Sequence, residues 1–234
     1  MKRAFISITS LKEQVLFIIL FAVVGFLALQ VPLSTLVGSQ AKFTLFDLLA
    51  PTVGAFIGIL PAAAAILIVQ AVNTLLHGGF VDVASFIRPF PLLFGAFYFA
   101  KKSRFSLLTS IVAIILFNLH PVGRSVWYYS LFWVIPLVMY PLYNRFLFAR
   151  SLGATFTAHA VGGALWMWTF KLPASFWQGL IPVVITERLI FAVGISIVYV
   201  MTTNLVAYLQ TKKIIALPIH TEKKYSFLRL LKIH

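Results

Sequence analysis

Residues 48–76 read LLAPTVGAFIGILPAAAAILIVQAVNTLL, an uncharged and largely apolar run of 29 residues. This run is too long for one simple membrane crossing. A helix rises about 1.5 Å per residue, so the run exceeds about 40 Å, against a hydrocarbon core of about 30 Å. Pro51 and Pro61 each remove a backbone donor and predict a kink or break. Broken helices are tolerated at membrane depth only beside protein or a water-filled cavity, so this run is a candidate cavity wall.

The rest of the chain has the same apolar character. Of its 234 residues, 61% are apolar and only 10% are charged, and the mean hydropathy is +1.00. A soluble domain carries about 25% charged residues. The low charge therefore excludes a soluble enzyme and a disordered chain, and the absence of cysteine excludes a disulfide-stapled module. The composition predicts an all-α fold, a polytopic helix bundle in the cell membrane.

Six transmembrane helices with both termini in the cytoplasm account best for the distribution of cations. Residues 85–100 are short and interrupted by Arg88, Pro89 and Pro91, so we expect a broken or re-entrant segment that does not fully cross. Arg88 then lies on the cytoplasmic side. Fifteen Lys and Arg residues face the cytoplasm in this arrangement, as the positive-inside rule requires. The four cations left outside are Lys42, Arg124, Lys171 and Arg188.

The chain divides into a transmembrane bundle, residues 1–211, and a basic amphipathic cytoplasmic tail, residues 212–234. The tail carries six cations and one acid, with apolar residues between them. We expect it to lie on anionic headgroups of the inner leaflet, or else to dock a cytoplasmic partner. The net charge of +14 belongs to these membrane-proximal segments, so no nucleic-acid partner is predicted.

Motifs for catalysis are missing from the sequence. It contains no H-E-x-x-H, no G-x-S-x-G, no Walker loop and no G-x-G-x-x-G, and its five acids are not paired at helical spacing. The sequence therefore predicts no catalytic residue, no metal and no cofactor. A chain without an ATP site moves a solute only with an ion gradient, by passive binding, or with partner subunits.

Polar residues inside apolar runs identify the candidate site, because each is costly in hydrocarbon and normally faces the bundle interior. His159 and Trp166 share one helical face with two glycines. Glu187 is the one acid within an apolar run, and Arg188 points about 100° away from it on a helix, which predicts a poor mutual pair.

The outer hinge near residue 120 supplies two more candidates. Arg124 and Trp127 come from this hinge, so topology brings them into the outer half of the bundle with the three residues above. Such a set suits a planar polar small molecule, although close helix packing and interface anchoring account equally well for several members. The predicted ligand-binding residues are His159, Trp166, Trp127, Arg124 and Glu187.

Two stretches resemble a known family of membrane proteins. FDLLAPTVGAFIGILP at 46–61 is similar to the Pro/Gly-rich entry to the second helix of the substrate-binding S components of energy-coupling-factor vitamin transporters. RPFPLLFG at 88–95 resembles the start of their third helix. The resemblance implies a subunit that binds a vitamin or related micronutrient and works with a scaffold subunit and two ATPases. It also gives a role to the small residues Ala22, Gly25 and Ala28, which we expect to contact another subunit.

Other functions also fit the sequence. One is a membrane enzyme that uses His159 and Glu187 as acid and base, and another is an assembly factor without a ligand. A permease that works alone on a proton gradient, with Glu187 as the proton carrier, is a variant of the transport hypothesis.

Overall fold

The computed structural model describes residues 11–35, 42–76, 83–213, 219 and 221–227. Two strands, β1 (Pro32–Thr35) and β2 (Lys42–Thr44), pair antiparallel, and 3₁₀ helices cover Trp127–Val134 and Lys223–Tyr225. The α-helices are α1 (Leu11–Leu29), α2 (Leu45–Ile57), α3 (Ile59–Leu76), α4 (Val83–Ile87), α5 (Pro89–Ala100), α6 (Arg104–Leu119), α7 (Pro121–Ser125), α8 (Ile135–Met139), α9 (Leu147–Thr169) and α10 (Ala174–Thr211). The predicted all-α fold is confirmed for the described residues, apart from this small hairpin.

The described part of the chain contains three helices long and apolar enough to cross a membrane. They are Ile59–Leu76, Val83–Ala100 and Ala174–Thr211. Their outward faces are apolar, since Leu60 and Met201 expose 82% and 66% of their surface. Large apolar side chains exposed in this number are typical of a surface that contacts lipid or another protein.

Residues 48–76 fold back on themselves at Gly58. A Cβ placed on Gly54 would lie 3.7 Å from the Cβ of Ala62, two positions that are about 12 Å apart along a continuous helix. Gly58 has a φ of +88°, a conformation that side chains with a Cβ rarely adopt. The prolines do not make this break. Pro51 lies inside α2, and Pro61 lies in the first turn of α3, where no backbone donor is needed.

Residues 85–100, which were expected to form a broken or re-entrant segment, instead belong to a long helical segment made of α4 and α5. The Arg88 amide donates to the Ala84 carbonyl at 3.0 Å and joins α4 to α5. This segment packs along α9, where Gly95 lies against Ala154 and Ala158. Its length and composition make Val83–Ala100 a candidate span, in contrast to the expectation from its prolines.

The helical legs run alternately between two ends of the bundle. In the described residues, the contacts between packed helices define eight such legs, each a helical segment that runs from one end of the bundle to the other. They are α1, α2, α3, α4–α5, α6, residues 127–139, α9 and α10. We call the end where α5 and α10 finish and α6 and α9 begin the basic end. The described cations there include Lys101, Lys102, Arg104, Arg145, Lys212 and Lys213.

Arg88 lies at the opposite end of its helical leg from Lys101, in contrast to the expectation that both lie on the same side. Its Nη2 donates to the Lys42 carbonyl at 2.5 Å, beside the strand hairpin that joins α1 to α2. The helix from Val83 to Ala100 separates it from the basic end by twelve residues, about 18 Å.

The small residues on α1 pack inside this chain. A Cβ on Gly25 would approach Phe46 to 2.8 Å and Val69 to 3.1 Å, and Ala28 is 6% exposed. Gly25 therefore lets α1 approach the hairpin of α2 and α3. The predicted role of this stripe as a contact for another subunit is wrong, because its surface is already covered.

Part of the tail returns to the basic end of the bundle. The Asn204 amide donates to the Tyr225 carbonyl at 2.9 Å, and the Phe227 amide donates back to Asn204 at 2.7 Å. Lys224 donates to the Asn144 carbonyl at 3.1 Å. Residues 219 and 221–227 thus contact the bundle, while 214–218, 220 and 228–234 lie outside the described residues.

Candidate functional site

A cavity of about 490 Å³ lies in the half of the bundle away from the basic end. Its walls come from β2, the first half of α2, the α4–α5 leg, α9 and α10. Along α10 the lining reaches from Phe176 to Ile195. Such a volume is typical of a site for a small organic molecule.

The beginning of α2 brings charge to the cavity. The Asp47 carboxylate accepts hydrogen bonds from the Thr44 amide at 2.6 Å and from the Thr44 hydroxyl at 3.0 Å. This local pairing of residues three apart starts the helix and holds Asp47 in place. Phe43, one residue before Thr44, packs edge-to-face on Phe191 with a centroid distance of 5.0 Å.

His159 is held on both sides of its ring. The Trp133 indole donates to Nδ1 at 3.0 Å, and Nε2 lies 3.1 Å from the Tyr129 hydroxyl. An indole N–H only donates, so Nδ1 carries no proton and the ring proton sits on Nε2. Nε2 then donates to the Tyr129 oxygen. Gly163 makes this possible, because a Cβ there would come within 2.5 Å of the Trp133 ring.

Arg188 is the buried cation of the cavity. It is 5% exposed, and its guanidinium carbon lies 5.0 Å from the Phe43 ring centre and 4.7 Å from that of Phe191. Its Nη2 donates to Glu187 at 2.5 Å, and its Nη1 donates to the Thr155 hydroxyl at 3.3 Å. Two rings and two polar partners therefore hold this side chain against the cavity.

Two buried donors in the cavity wall lack a partner within the described part of the chain. They are Nε of Arg188 and Nε1 of Trp177, whose side chain is 2% exposed. Both residues line the cavity. A buried donor without an acceptor costs about 1–3 kcal/mol, so native proteins keep few of them. Two in one cavity indicate a place for an acceptor that comes from outside the chain.

The structure brings three of the five predicted site residues together. His159, Trp166 and Glu187 all line the cavity. Arg124 and Trp127 do not belong to its lining, and Trp127 exposes 56% of its surface. The short helix α7 and the 3₁₀ turn that follows it carry these two residues outside the packed helices.

The predicted separation of Glu187 from Arg188 is wrong. Neighbours on a helix start about 100° apart, but both side chains face the space between α9 and the start of α2, and the long arginine side chain turns back to the carboxylate. The distance between Nη2 and Oε2 is 2.5 Å.

Sequence reasoning missed four cavity residues. The cation count places Arg188 on the outside and the sequence criteria do not select Trp177, although the two lie eleven residues apart, about three turns, on one helical face. That spacing was the available signal. Tyr129 and Asp47 gave none, since their place depends on helix packing between distant parts of the chain.

Ligation of a metal has no support in the described residues. They contain no group of three His, Asp or Glu side chains close enough to hold an ion.

Comparison with known proteins identifies a distant relative. Over 202 aligned residues the chain is 26% identical to an uncharacterized protein of Methanocaldococcus jannaschii, covering 77% of this chain and 68% of that protein. No protein-family model matches the chain, and no solved structure matches it at a significant level. The description of the relative names no ligand or reaction, so the candidate function rests on the cavity.

Proposed function

We propose that this chain is a multi-pass protein of the cell membrane that binds a small polar molecule in the cavity. In this proposal it is the substrate-binding subunit of a transporter and works with separate scaffold and ATPase subunits. The observation that carries the proposal is the cavity itself, with aromatic walls, five charged lining residues and unpartnered donors. The sequence contains no nucleotide motif, so in this proposal the energy comes from partner subunits.

The substrate class in this proposal is a vitamin or related micronutrient. This part rests on the resemblance of residues 46–61 and 88–95 to S components of energy-coupling-factor transporters. Both stretches contribute to the cavity, through Asp47 and Pro51 in the first and Arg88 and Pro91 in the second.

In the proposed topology all eight legs pass between the cytoplasmic and the outer end of the bundle, two more than the six crossings expected from the cation distribution, and both termini lie in the cytoplasm. Six of the legs have 16 residues or more, with α4 and α5 counted together, and they are α1, α3, α4–α5, α6, α9 and α10. The two legs of 13 residues, α2 and 127–139, join the same two ends. The basic end faces the cytoplasm, so the cavity opens toward the outside.

Reporter fusions test this topology. Fusions after Arg104 and after Lys213 should report the cytoplasm, and fusions after Arg124 and after Lys171 should report the outside. An external signal after Arg104 would overturn the orientation.

Binding fits the geometry better than acid–base catalysis or proton carriage. Both ring nitrogens of His159 are engaged by Trp133 and Tyr129. The carboxylate of Glu187 is engaged by Arg188. Groups held this way position a ligand well, and neither ring nitrogen of His159 keeps an open lone pair for a general base.

Native mass spectrometry of the purified protein tests the function. The expected result is a retained small molecule, together with co-purifying ATPase subunits when the protein is isolated gently from its own membranes. Trp166→Ala should lower ligand occupancy about tenfold, the value of one lost aromatic contact. Trp127→Ala is the matched control outside the cavity. Equal loss in the two variants, or no loss in either, would contradict the proposed site.

A further inference from the structure

We propose that the occupant of the cavity is a small organic monoanion, a carboxylate on a flat apolar body, whose carboxylate binds at Arg188. This inference rests on the proposed binding function and adds the chemical class of the ligand. It follows from three separate features of the cavity: which polar atoms lack a partner, which way the hydrogen bonds run, and how the charges add up.

The polar atoms left over in the cavity wall are donors. In the described part of the chain, two residues that line the cavity each have a buried side-chain donor without a partner, Nε of Arg188 and Nε1 of Trp177. Each acid of the lining already has a donor partner, since Oε2 of Glu187 accepts from Arg188 and Oδ2 of Asp47 accepts twice from Thr44. The unpaired buried atoms are thus donors, and a ligand that supplies acceptors removes their cost.

The direction of the hydrogen bonds at His159 adds a third donor. Trp133 donates to Nδ1, so Nε2 donates to the Tyr129 oxygen. Tyr129 consequently keeps its own hydroxyl proton for another acceptor. Its side chain lines the cavity and is 1% exposed.

The charges of the lining leave one positive charge uncompensated. The described lining residues include three cations, Lys42, Arg88 and Arg188, and two acids, Asp47 and Glu187. Neutral His159 adds nothing to this sum. One negative charge on the ligand balances the set, which favours a carboxylate over a doubly charged phosphate, and the planar guanidinium fork matches a carboxylate well.

The body of the ligand faces rings. Trp166, Phe176 and Trp177 line the cavity, and Trp177 lies about 16 Å from Arg188 along α10. One carboxylate does not reach both orphan donors across that distance. The ligand therefore extends along α10, with its carboxylate at Arg188 and a flat body against the tryptophans, and its carboxylate supplies an acceptor for Nε of Arg188 alone.

Three matched probes test the charge class: naphthylacetate, its neutral amide naphthylacetamide, and the cationic naphthylethylamine. Binding to the whole protein in lipid nanodiscs is measured by isothermal titration calorimetry. We expect naphthylacetate to bind at least about tenfold more tightly than the amide, the effect of one hydrogen bond to a charged group, and the amine to bind most weakly.

Variants of Arg188 locate the carboxylate. Arg188→Gln should reduce the acid-to-amide preference to less than about twofold, because the charge is lost. Arg188→Lys keeps the charge and a partner for Glu187 but loses Nε, so it should retain a reduced preference, and it decides the matter if Arg188→Gln does not fold. Lys171→Gln is the control, since it removes the same charge at the same end outside the cavity, and its preference should equal that of the wild type.

The outcomes separate the two proposals. Equal binding of acid and amide, tighter binding of the amine, or an unchanged acid preference in both Arg188 variants would overturn the carboxylate inference and leave a binding cavity. If none of the three probes binds the wild-type protein, the carboxylate inference and the proposed binding function both fail.

Discussion

Arg150 and Arg188 are both buried arginines, but they differ in whether the side-chain donor Nε has a hydrogen-bond partner. Both are about 5% exposed, both pair with a glutamate at 2.5 Å, and both lie against aromatic rings. They differ at Nε. In Arg150 this atom donates to the Phe99 carbonyl at 2.6 Å, while in Arg188 it has no partner in the described residues.

This difference separates a structural arginine from a candidate binding arginine. The partners of Arg150 come from α5 and from the tail, and its guanidinium faces the rings of Phe99, Tyr143 and Tyr199. Arg188 lines an open cavity. Burial and ion pairing are similar in the two arginines, and the hydrogen bond at Nε distinguishes them.

The largest effect is expected from loss of Arg150. Arg150→Gln leaves Glu222 and the Phe99 carbonyl partly buried without their cation, so the free energy of unfolding should fall by about 3–5 kcal/mol. Denaturant titration of the protein in micelles measures it. A loss below about 1 kcal/mol would mean that the pair is a surface contact and would remove the contrast with Arg188.

Loss of Arg188 should cost less stability. In Arg188→Gln the carboxylate of Glu187 loses its partner but lines a cavity that water can enter, so we expect about 1–3 kcal/mol in the same titration. A cost equal to that of Arg150→Gln would show that both arginines are structural, which contradicts the distinction drawn above.

Acidification should release the tail by acting on Glu222. Burial alone raises the pKa of its carboxyl, but the Arg150 guanidinium, Lys224 and the Tyr199 hydroxyl together lower it below the ordinary value of 4.5. A depressed pKa in the folded state stabilises docking above the ordinary pKa, and this contribution is lost as the pH falls through the lower folded-state value. Docking should therefore be constant at neutral pH and lost only below pH 4.5.

A fluorophore reports this release. The chain has no cysteine, so Ser226→Cys gives a unique attachment point beside the docked segment. The matched Glu222→Gln variant should show a weakly docked tail whose fluorescence no longer changes over the same pH range. A transition of equal size in both proteins would assign the titration to another group.

The smallest effect is expected from the comparison of Trp177→Phe with Trp133→Phe. Both residues are fully buried, so both changes carry the cost of the cavity that the smaller ring leaves. Trp133→Phe also removes an N–H bonded to His159, while the N–H of Trp177 has no partner in the described fold, so the free energy of unfolding should fall by about 1 kcal/mol more in Trp133→Phe than in Trp177→Phe. A larger loss of unfolding free energy in Trp177→Phe than in Trp133→Phe would show that Nε1 of Trp177 has a partner.

The sequence alone predicts the α9 wall of the cavity better than its other walls. His159 and Trp166 were found because they share one helix, where spacing alone sets the common face. Asp47 and Tyr129 were missed because each reaches the cavity by packing against helices far along the chain. Arg124 and Trp127 were predicted to line the cavity because of their outer position in the topology. That position does not determine whether a side chain points into the bundle.

The leg count shows a similar limit. Prolines suggested breaks at positions 51 and 61 and a re-entrant segment at 85–100, whereas the turn occurs at Gly58 and Val83–Ala100 forms a long leg. Residues 48–76 form two legs instead of one and residues 83–100 form one full leg, so α1 begins and α10 ends at the same end of the bundle. The side of the membrane on which this end lies stays a prediction from the cation distribution.

The amino-acid sequence by itself determined the helical, apolar character of the chain, the clustering of cations at one end, and the face on which His159 and Trp166 lie. These properties follow from composition and from the helical period, both of which act over a few residues. Tertiary structure alone decided which polar atoms remain without a partner, because hydrogen-bond partners such as Thr155 for Arg188, or Glu222 for Arg150, come from positions 33 and 72 residues away. Whether a donor has a partner is therefore decided only when distant segments pack together. In this protein, the presence or absence of a partner at Nε separates the structural arginine from the candidate binding arginine.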